Sequence, residues 1–232
     1  MNIRDLGGLP LEGGGATRFR TVVRADDAAG LSPGGWQALV AYGVSRIVDL
    51  RHEDPPYDAP VEVVRSPLYD AGGLREVDAL LADETDPVEY RVRGYLSFLE
   101  RFPRRFARAV GAVAAPTSGT VLVHCAGGVD RTGLVSALLL RLADVGVEAI
   151  AEDYSESERC WAPLVGEWLE AAPDELERHK RLMLSVMPAD AMRATLTELE
   201  RRHGTVAEYL REAGLSDEEL ELARARLRGK RD

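Results

Sequence analysis

Short apolar runs alternate with segments of helical periodicity along the first two thirds of the chain. Three runs rich in β-branched and aliphatic residues predict strands over residues 46–50, 61–68 and 120–123. Apolar residues at helical spacing predict helices over residues 33–42, 88–113 and 132–142. Pro103 predicts a break or a kink inside the second of these helices. The alternation favours an α/β fold with a mainly parallel sheet flanked by helices.

The last third of the chain has helical periodicity nearly throughout and no strand pattern. Oppositely charged residues at i,i+4 spacing, such as Glu198 and Arg202, support helices there. Ser216 and Glu219 match a capping box and predict a helix start. We therefore expect one domain over residues 1–232, in which the helical portion 146–232 packs on the α/β core.

Composition narrows the classes of partner. A formal net charge of −10 and a pI near 5.0 oppose a general role on nucleic acid or on an anionic membrane surface. The most apolar window, residues 134–142, contains Arg141 and is far shorter than the roughly 20 residues of a membrane span. The N-terminal residues reach charge at once, so we expect no secretory signal and no stable membrane insertion.

Cysteine usage points to a reducing compartment. The sequence contains two cysteines, Cys125 and Cys160, which are too few for a disulfide framework. We therefore expect a cytoplasmic protein. Cys160 is interpreted as a packing residue, with a protective disulfide to Cys125 under oxidation as the alternative.

The candidate chemistry lies between the strand at 120–123 and the helix at 132–142. The connecting segment reads His124-Cys125-Ala126-Gly127-Gly128-Val129-Asp130-Arg131-Thr132-Gly133. A cysteine at the end of a strand and just ahead of a helix N-terminus is favoured as a thiolate by unpaired N–H groups and the helix dipole. The two glycines permit positive φ angles, which turn successive N–H groups inward as an anion nest.

These residue types fit the hydrolysis of a phosphate ester. Such a reaction needs an ionised nucleophile and positive potential on the phosphate oxygens, and the fork of Arg131 can hold two of those oxygens. Asp130 is the nearest carboxylic acid able to protonate a leaving group, and Thr132 offers a hydroxyl to orient the thiolate. The expected phosphate-binding residues are Ala126, Gly127, Gly128, Val129 and Arg131. No metal or other cofactor is required.

The segment resembles the Cys-x5-Arg signature of protein tyrosine phosphatases, in particular the bacterial tyrosine/serine phosphatase branch, which has Asp before Arg. Further likenesses to that branch lie at residues 2–8, 48–51, 153–154 and 209–220. The resemblance implies a phosphatase-type α/β sheet, Cys125 as the nucleophile, Arg131 as the phosphate clamp and Asp130 as the general acid. Val129 stands where several relatives that act on phosphoinositides have lysine, which disfavours strong lipid phosphatase activity.

Several neighbouring residues have two interpretations. Asp49 and Asp54 lie near the carboxyl end of a strand, where either can act as an acid or orient water, and Asp49 can equally serve as a structural partner of Arg51. His124 is expected to hydrogen-bond backbone groups and so support the loop, in preference to acting as an acid or a ligand. Asn2, Arg4 and Asp5 are expected to form a structural turn and an ion pair.

Trp161 and Trp168 belong to an apolar helical segment. They form either a lid over the pocket or a docking face on the core, and docking is favoured.

The expected function is a phosphoric monoester hydrolase that acts on phosphotyrosine, with dual specificity as an extension. The substrate is therefore a phosphorylated protein or a small phosphomonoester. A phosphoinositide or small-metabolite phosphatase and a non-catalytic phosphate-binding module are the alternatives. Sulfur transfer is disfavoured by the Arg131-Thr132-Gly133 continuation of the loop. A nucleotide-binding loop is excluded because no Gly-Lys followed by Ser or Thr occurs.

Overall fold

The computed structural model describes residues 1–53 and 58–228, which form five strands and ten helices. The strands are β1 (Arg4–Asp5), β2 (Val22–Ala25), β3 (Val44–Asp49), β4 (Glu62–Arg65) and β5 (Thr120–His124). They form one sheet in the order β1-β2-β5-β3-β4, in which only β1 is antiparallel to its neighbour. The mainly parallel sheet predicted from the sequence is confirmed, and β5 is its central strand.

Five helices lie between the strands or follow the last of them directly. They are α1 (Pro33–Tyr42), α2 (Ala71–Leu80), α3 (Pro87–Arg101), α4 (Pro103–Ala114) and α5 (Asp130–Leu142). The predicted helix over 88–113 is two helices, because Phe102 ends α3 and Pro103 begins α4 as its first residue.

Five further helices make up the described part of the C-terminal third. They are α6 (Val147–Glu170), α7 (Glu175–Ser185), α8 (Ala189–His203), α9 (Val206–Glu212) and α10 (Asp217–Arg228). The capping box predicted for α10 is confirmed, since Glu219 N–H donates to Ser216 Oγ and Ser216 N–H donates to Glu219 Oε2. In residues 1–53 and 58–228, no helix combines the length and the apolar character that a membrane crossing requires.

The sheet buries a different set of side chains on each face. Val22, Val121 and Val123 belong to the large core that includes α3, α4, α5 and the C-terminal helices. Leu122 points to the other face and packs with Ile47 in the small core under α1. This alternation follows from the two-residue period of a strand. Every residue of β5 is buried, which fixes the strand that delivers Cys125.

Three elements were not predicted from the sequence. Residues 4–5, where a structural turn was expected, form β1. The segment that forms β2 is short and contains Arg24, a charged residue within an apolar run. The segment that forms α2 begins Ala71-Gly72-Gly73, and glycine is a poor helix former. Asp70 caps this helix, because its side chain accepts a hydrogen bond from Gly73 N–H.

The interior position of α5 allows a test of the core. Leu139 on α5 is fully buried, so Leu139→Ala should lower the free energy of unfolding by about 2–5 kcal/mol, through lost transfer energy and the cavity left behind. Leu80→Ala is the matched control, because Leu80 is half-exposed on α2 and should change stability by about 0.5 kcal/mol or less. Urea denaturation of both variants measures the difference, and equal losses would contradict the assigned core.

Candidate active site

The candidate site is the turn that joins β5 to α5. Cys125 directly follows the strand, is buried, and is separated from the first residue of α5 by four loop residues. Gly128 has a φ of +67°, and a Cβ on it would lie 2.8 Å from the carbonyl atoms of Ala25. Only glycine fits this position without moving the neighbouring strand. The close packing of the loop against β2 therefore sets its curvature.

Three successive loop carbonyls are held by donors outside the loop. The Ala126 carbonyl accepts from Asp27 N–H at 3.0 Å, and the Gly127 carbonyl accepts from Trp161 Nε1–H at 2.9 Å. The Gly128 carbonyl accepts from Arg24 Nη2 at 2.9 Å. In a trans peptide the C=O and the following N–H point in opposite directions. The outward carbonyls therefore leave the N–H groups of residues 127–129 turned toward the inside of the loop.

One of these donors, Arg24, is itself fixed by a buried carboxylate. Asp153 on α6 accepts from Arg4 Nε at 2.8 Å and from Arg24 Nη1 at 2.6 Å. Arg4 also donates to Asn2 Oδ1, and Asn2 Nδ2 donates to the Gly128 carbonyl at 3.2 Å. Burial would raise the pKa of Asp153, but the positive charges of Arg24 and Arg4 hold it below the ordinary value. Asn2 and Arg4 thus support the loop from behind.

Arg131 lies at the mouth of the loop with Cys125 as one of its electrostatic neighbours. Its guanidinium carbon lies 5.4 Å from the ring centroid of Tyr69, a cation–π distance. Tyr69 in turn stacks on Phe98 at 4.2 Å. Burial would lower the pKa of Arg131, but the negative charge of Cys125 and its other neighbours raise it above the usual range. Among the described residues no carboxylate forms an ion pair with this arginine, so its fork is available to an anion.

Asp130, the first residue of α5, is held by two buried donors. Its Oδ1 accepts from Arg91 Nη1 at 2.5 Å and from the Tyr95 hydroxyl at 2.7 Å. The Tyr95 hydroxyl also lies 2.7 Å from the Tyr154 hydroxyl. Burial raises the pKa of Tyr154 to about 12, which keeps it neutral. Within the described chain, Oδ2 of Asp130 makes no hydrogen bond, and the side chain remains about one third exposed.

Arg91 connects Asp130 to the end of α7 and to the link between α7 and α8. Its Nε donates to the Val186 carbonyl and its Nη2 to the Leu184 carbonyl, each at 2.7 Å. The side chain is almost fully buried, so these carbonyls and Asp130 replace its lost hydration. The end of α7 and the start of the α7–α8 link are thereby fixed relative to the Cys125 loop.

A pocket of about 300 Å³ opens over the loop. It is lined by Tyr69, Cys125, Ala126, Gly127, Val129, Asp130, Arg131, Trp161, Trp168, Leu184 and Met187. The two tryptophan rings pack edge to face at 5.4 Å between centroids. Trp161 donates a hydrogen bond to the loop and also lines the pocket. It therefore docks α6 on the core and forms a wall of the pocket at the same time.

The other candidate residues lie outside the pocket lining. Asp49 is fully buried and binds Arg51 through both carboxylate oxygens. Burial would raise the pKa of Asp49, but the hydrogen bonds from Arg51 and the nearby His124 lower it. His124 is 3.6 Å from Asp49 and its Nδ1 lies 3.2 Å from the Cys125 carbonyl oxygen. Burial lowers the pKa of His124, which favours the neutral ring. Both residues therefore support the loop, and the structure does not place Asp49 at the reacting centre.

The remaining candidates are Thr132, Asp54 and Cys160. The Thr132 hydroxyl is buried and has no hydrogen-bond partner within the described residues, so the expected bond to Cys125 is not seen. Asp54 lies outside the described residues. Cys160 is half-buried and, like Cys125, is a free cysteine.

Four residues of the site were missed by sequence reasoning: Arg24, Tyr69, Arg91 and Tyr95. Two of them could have been found in the sequence as charged residues at positions where an apolar residue is expected. Arg24 interrupts a buried strand, and Arg91 lies on the buried face of α3. A charged residue at such a position requires a partner.

The Asp153 network predicts a pH-dependent contribution to stability. The pKa of Asp153 is lower in the folded protein than its ordinary 3.8. The stability that Asp153 gains from Arg24 and Arg4 is therefore fully present when the pH is above the pKa of this carboxyl in the unfolded chain. It is lost as the pH falls through the lower pKa of the folded protein. Asp153→Asn should lower the free energy of unfolding by about 3–5 kcal/mol at neutral pH, because the buried Arg24 and the partly buried Arg4 lose their carboxylate. It should also flatten the loss of stability between about pH 4 and pH 2.

Urea denaturation at several pH values measures both effects. Asp190→Asn is the control, because Asp190 pairs with Arg193 on an exposed surface. The same pH slope in Asp153→Asn and the wild type would show that Asp153 is not the titrating group.

Comparison with known proteins places this geometry in a family. The family model described as "Tyrosine phosphatase family" matches residues 1–229. A tyrosine-protein phosphatase of Nostoc commune is 28% identical over 224 residues, which cover 88% of this chain and 73% of that protein. A protein of Cupriavidus necator, provisionally named as a tyrosine-protein phosphatase, is 28% identical over 245 residues. This alignment covers 98% of this chain and 84% of the Cupriavidus necator protein. The chain belongs to the tyrosine phosphatase family and is a phosphatase.

Proposed function

We propose that this phosphatase hydrolyses phosphate monoesters through a cysteinyl-phosphate formed on Cys125, without a metal ion or other cofactor. The observation that carries the proposal is the row of three outward carbonyls at residues 126–128, which leaves inward N–H groups beside the Cys125 thiol. Together with the unpaired fork of Arg131, these groups match the oxygens of a phosphoryl group.

The first step is attack on phosphorus by the Cys125 thiolate. An S–P bond forms and the bond from phosphorus to the ester oxygen breaks, while the loop N–H groups and Arg131 stabilise the equatorial oxygens. Asp130 gives its proton to the departing oxygen.

In the second step Asp130 takes a proton from water. The water oxygen attacks phosphorus, the S–P bond breaks, and inorganic phosphate leaves with the thiolate restored. The two steps therefore consume one water and return Asp130 and Cys125 to their starting states.

The hydrogen bonds of Asp130 support its role as the acid. Oδ1 is held by Arg91 and Tyr95, so Oδ2 is the oxygen available to exchange a proton with the substrate. Asp49 is a weaker candidate because both of its oxygens bind Arg51 and it does not line the pocket.

The pocket walls favour an aryl phosphate. Tyr69, Trp161, Trp168 and Met187 present apolar surface around the Cys125 loop, which suits the ring of phosphotyrosine. We propose a phosphorylated protein as the substrate, with hydrolysis of phosphoserine and phosphothreonine as a slower second activity. A phosphoinositide headgroup is a poorer fit, because Arg131 is the one cationic side chain among the described lining residues.

The same mechanism bears on the number of domains and on the cellular compartment. We propose that residues 1–232 act as one domain, since Asp130 is held through Arg91 by the α7–α8 link and Gly127 by Trp161 of α6. A nucleophilic thiol must remain reduced, so we propose the cytoplasm as the compartment.

Loss of the nucleophile tests the covalent mechanism. With p-nitrophenyl phosphate in EDTA, the wild type should turn over and Cys125→Ser should lose at least about 10⁴-fold in kcat. Cys160→Ser is the matched control and should retain wild-type rates. Rapid acid quench with ³²P-labelled substrate should trap a phosphorylated protein only when Cys125 is present. Turnover that survives Cys125→Ser would refute the nucleophile, and a wild type that binds but does not turn over phosphopeptides would favour a non-catalytic module.

Removal of the acid should depend on the leaving group. An acid must be protonated to act, so the wild-type rate should fall as the pH rises, and Asp130→Asn should lose this basic limb with about 10²–10⁴-fold lower kcat. Dinitrophenyl phosphate has a leaving group that needs little protonation, so the deficit should shrink markedly on that substrate. A deficit of equal size on both substrates would assign Asp130 a purely structural role.

A further inference from the structure

A second hollow lies at the opposite end of β5 from the candidate active site. It has a volume of about 380 Å³ and is formed by the segments 18–21 and 114–119 and one face of α10. Gly119 lines this hollow, whereas Cys125 lines the other pocket. The length of β5 separates them, about 16 Å at roughly 3.3 Å per residue. The two cavities therefore share no lining residue.

The hollow is basic in a protein whose formal net charge is −10. Arg18, Arg20 and Arg226 line it, together with the hydroxyl residues Thr117 and Ser118, and none of the described lining residues is acidic. Neither Arg18 nor Arg226 forms an ion pair with a carboxylate in residues 1–53 and 58–228. The guanidinium groups of Arg18 and Arg226, with Arg20 beside them, provide a local positive potential.

Like charges converge behind the hollow. Arg46 Nη1 donates to the Ala115 carbonyl at 3.0 Å, and Arg226 Nη2 donates to the same oxygen at 2.7 Å. Burial and the positive charge of Arg46 lower the pKa of Arg226. The Nε of Arg226 is buried without a hydrogen-bond partner among the described residues. An anion in the hollow would relieve the repulsion between these like charges.

The backbone of Arg20 is held in an uncommon conformation at the rim. Its φ is +60°, which is costly for a residue with a side chain. Its N–H donates to Asp5 Oδ2 at 2.7 Å and its carbonyl accepts from the Thr120 hydroxyl at 2.7 Å. Its guanidinium lies 5.0 Å from the ring centroid of Tyr42. These contacts fix the side chain beside the hollow.

We propose that this hollow binds a small phosphate-bearing anion at a site separate from the Cys125 pocket. Phosphate suits it because a phosphate monoester carries close to two negative charges at neutral pH and arginine forks bind its oxygens bidentately. Three cations match a multivalent anion better than they match a single carboxylate.

Titration of the ¹⁵N-labelled wild type with pyrophosphate tests the site by amide chemical shifts. Two groups of amides should respond, one at residues 117–119 and one at residues 126–129. Arg18→Glu should weaken binding at residues 117–119 by at least about tenfold and leave the response of the Cys125 loop unchanged. Arg18 is chosen because its side chain makes no hydrogen bond that folding would require among the described residues.

The control is Arg104→Glu, which makes the same charge change. Arg104 is exposed on α4 and does not line the hollow. It should leave both responses unchanged. Shifts confined to the Cys125 loop would overturn the proposal, and so would equal weakening by Arg18→Glu and Arg104→Glu, which would indicate a general charge effect. Because the two groups of amides are read separately, failure at one site is distinguishable from failure at the other.

Discussion

The geometry of the site depends on the constraint that a trans peptide points its carbonyl and its following N–H in opposite directions. A ring of inward N–H groups can exist only if the carbonyls of the same peptides accept hydrogen bonds from donors outside the ring. Here those partners come from four places in the chain: Asn2, Arg24, Asp27 and Trp161. The anion-binding loop is therefore a product of the whole fold. A buried ion pair contributes little net stability, so the value of the Arg24–Asp153 pair lies in fixing where the Gly128 carbonyl points.

A second buried arginine organises the other side of the loop. Arg91 is almost fully buried, so its donors need partners within the protein, and Asp130 is the carboxyl group among them. The remaining donors of Arg91 bind carbonyls at the end of α7 and in the α7–α8 link. The same contact that satisfies a buried charge thus sets the position of Asp130 over the pocket. Folding and chemistry place compatible demands on this residue, because Oδ1 can still accept the hydrogen bonds of Arg91 and Tyr95 when Oδ2 carries a proton.

Sequence reasoning reached the parts of the molecule that depend on local pattern. The three strands at β3, β4 and β5, the helix break at Pro103 and the capping box at Ser216 all follow from neighbouring residues. The supporting arginines did not follow, since Arg24 meets Asp153 across 129 residues and Arg91 meets Asp130 across 39. The two interpretations of Asp49 were equally unresolvable, because the choice depends on whether its oxygens are occupied. Long-range pairing of charges is a tertiary property, which no periodicity encodes.

Both proposed anion sites lie at the ends of one buried strand in a chain of strongly negative charge. A phosphorylated ligand approaching such a protein meets a field that repels it at long range, so electrostatic steering does not speed its capture. Added salt screens this repulsion, while the short bonds inside a partly enclosed pocket are screened much less. Affinity must then arise at contact, from N–H groups and arginine forks fixed before the ligand arrives. That requirement explains why so much of the structure, from Asn2 to Trp161, is committed to holding carbonyls away from Cys125.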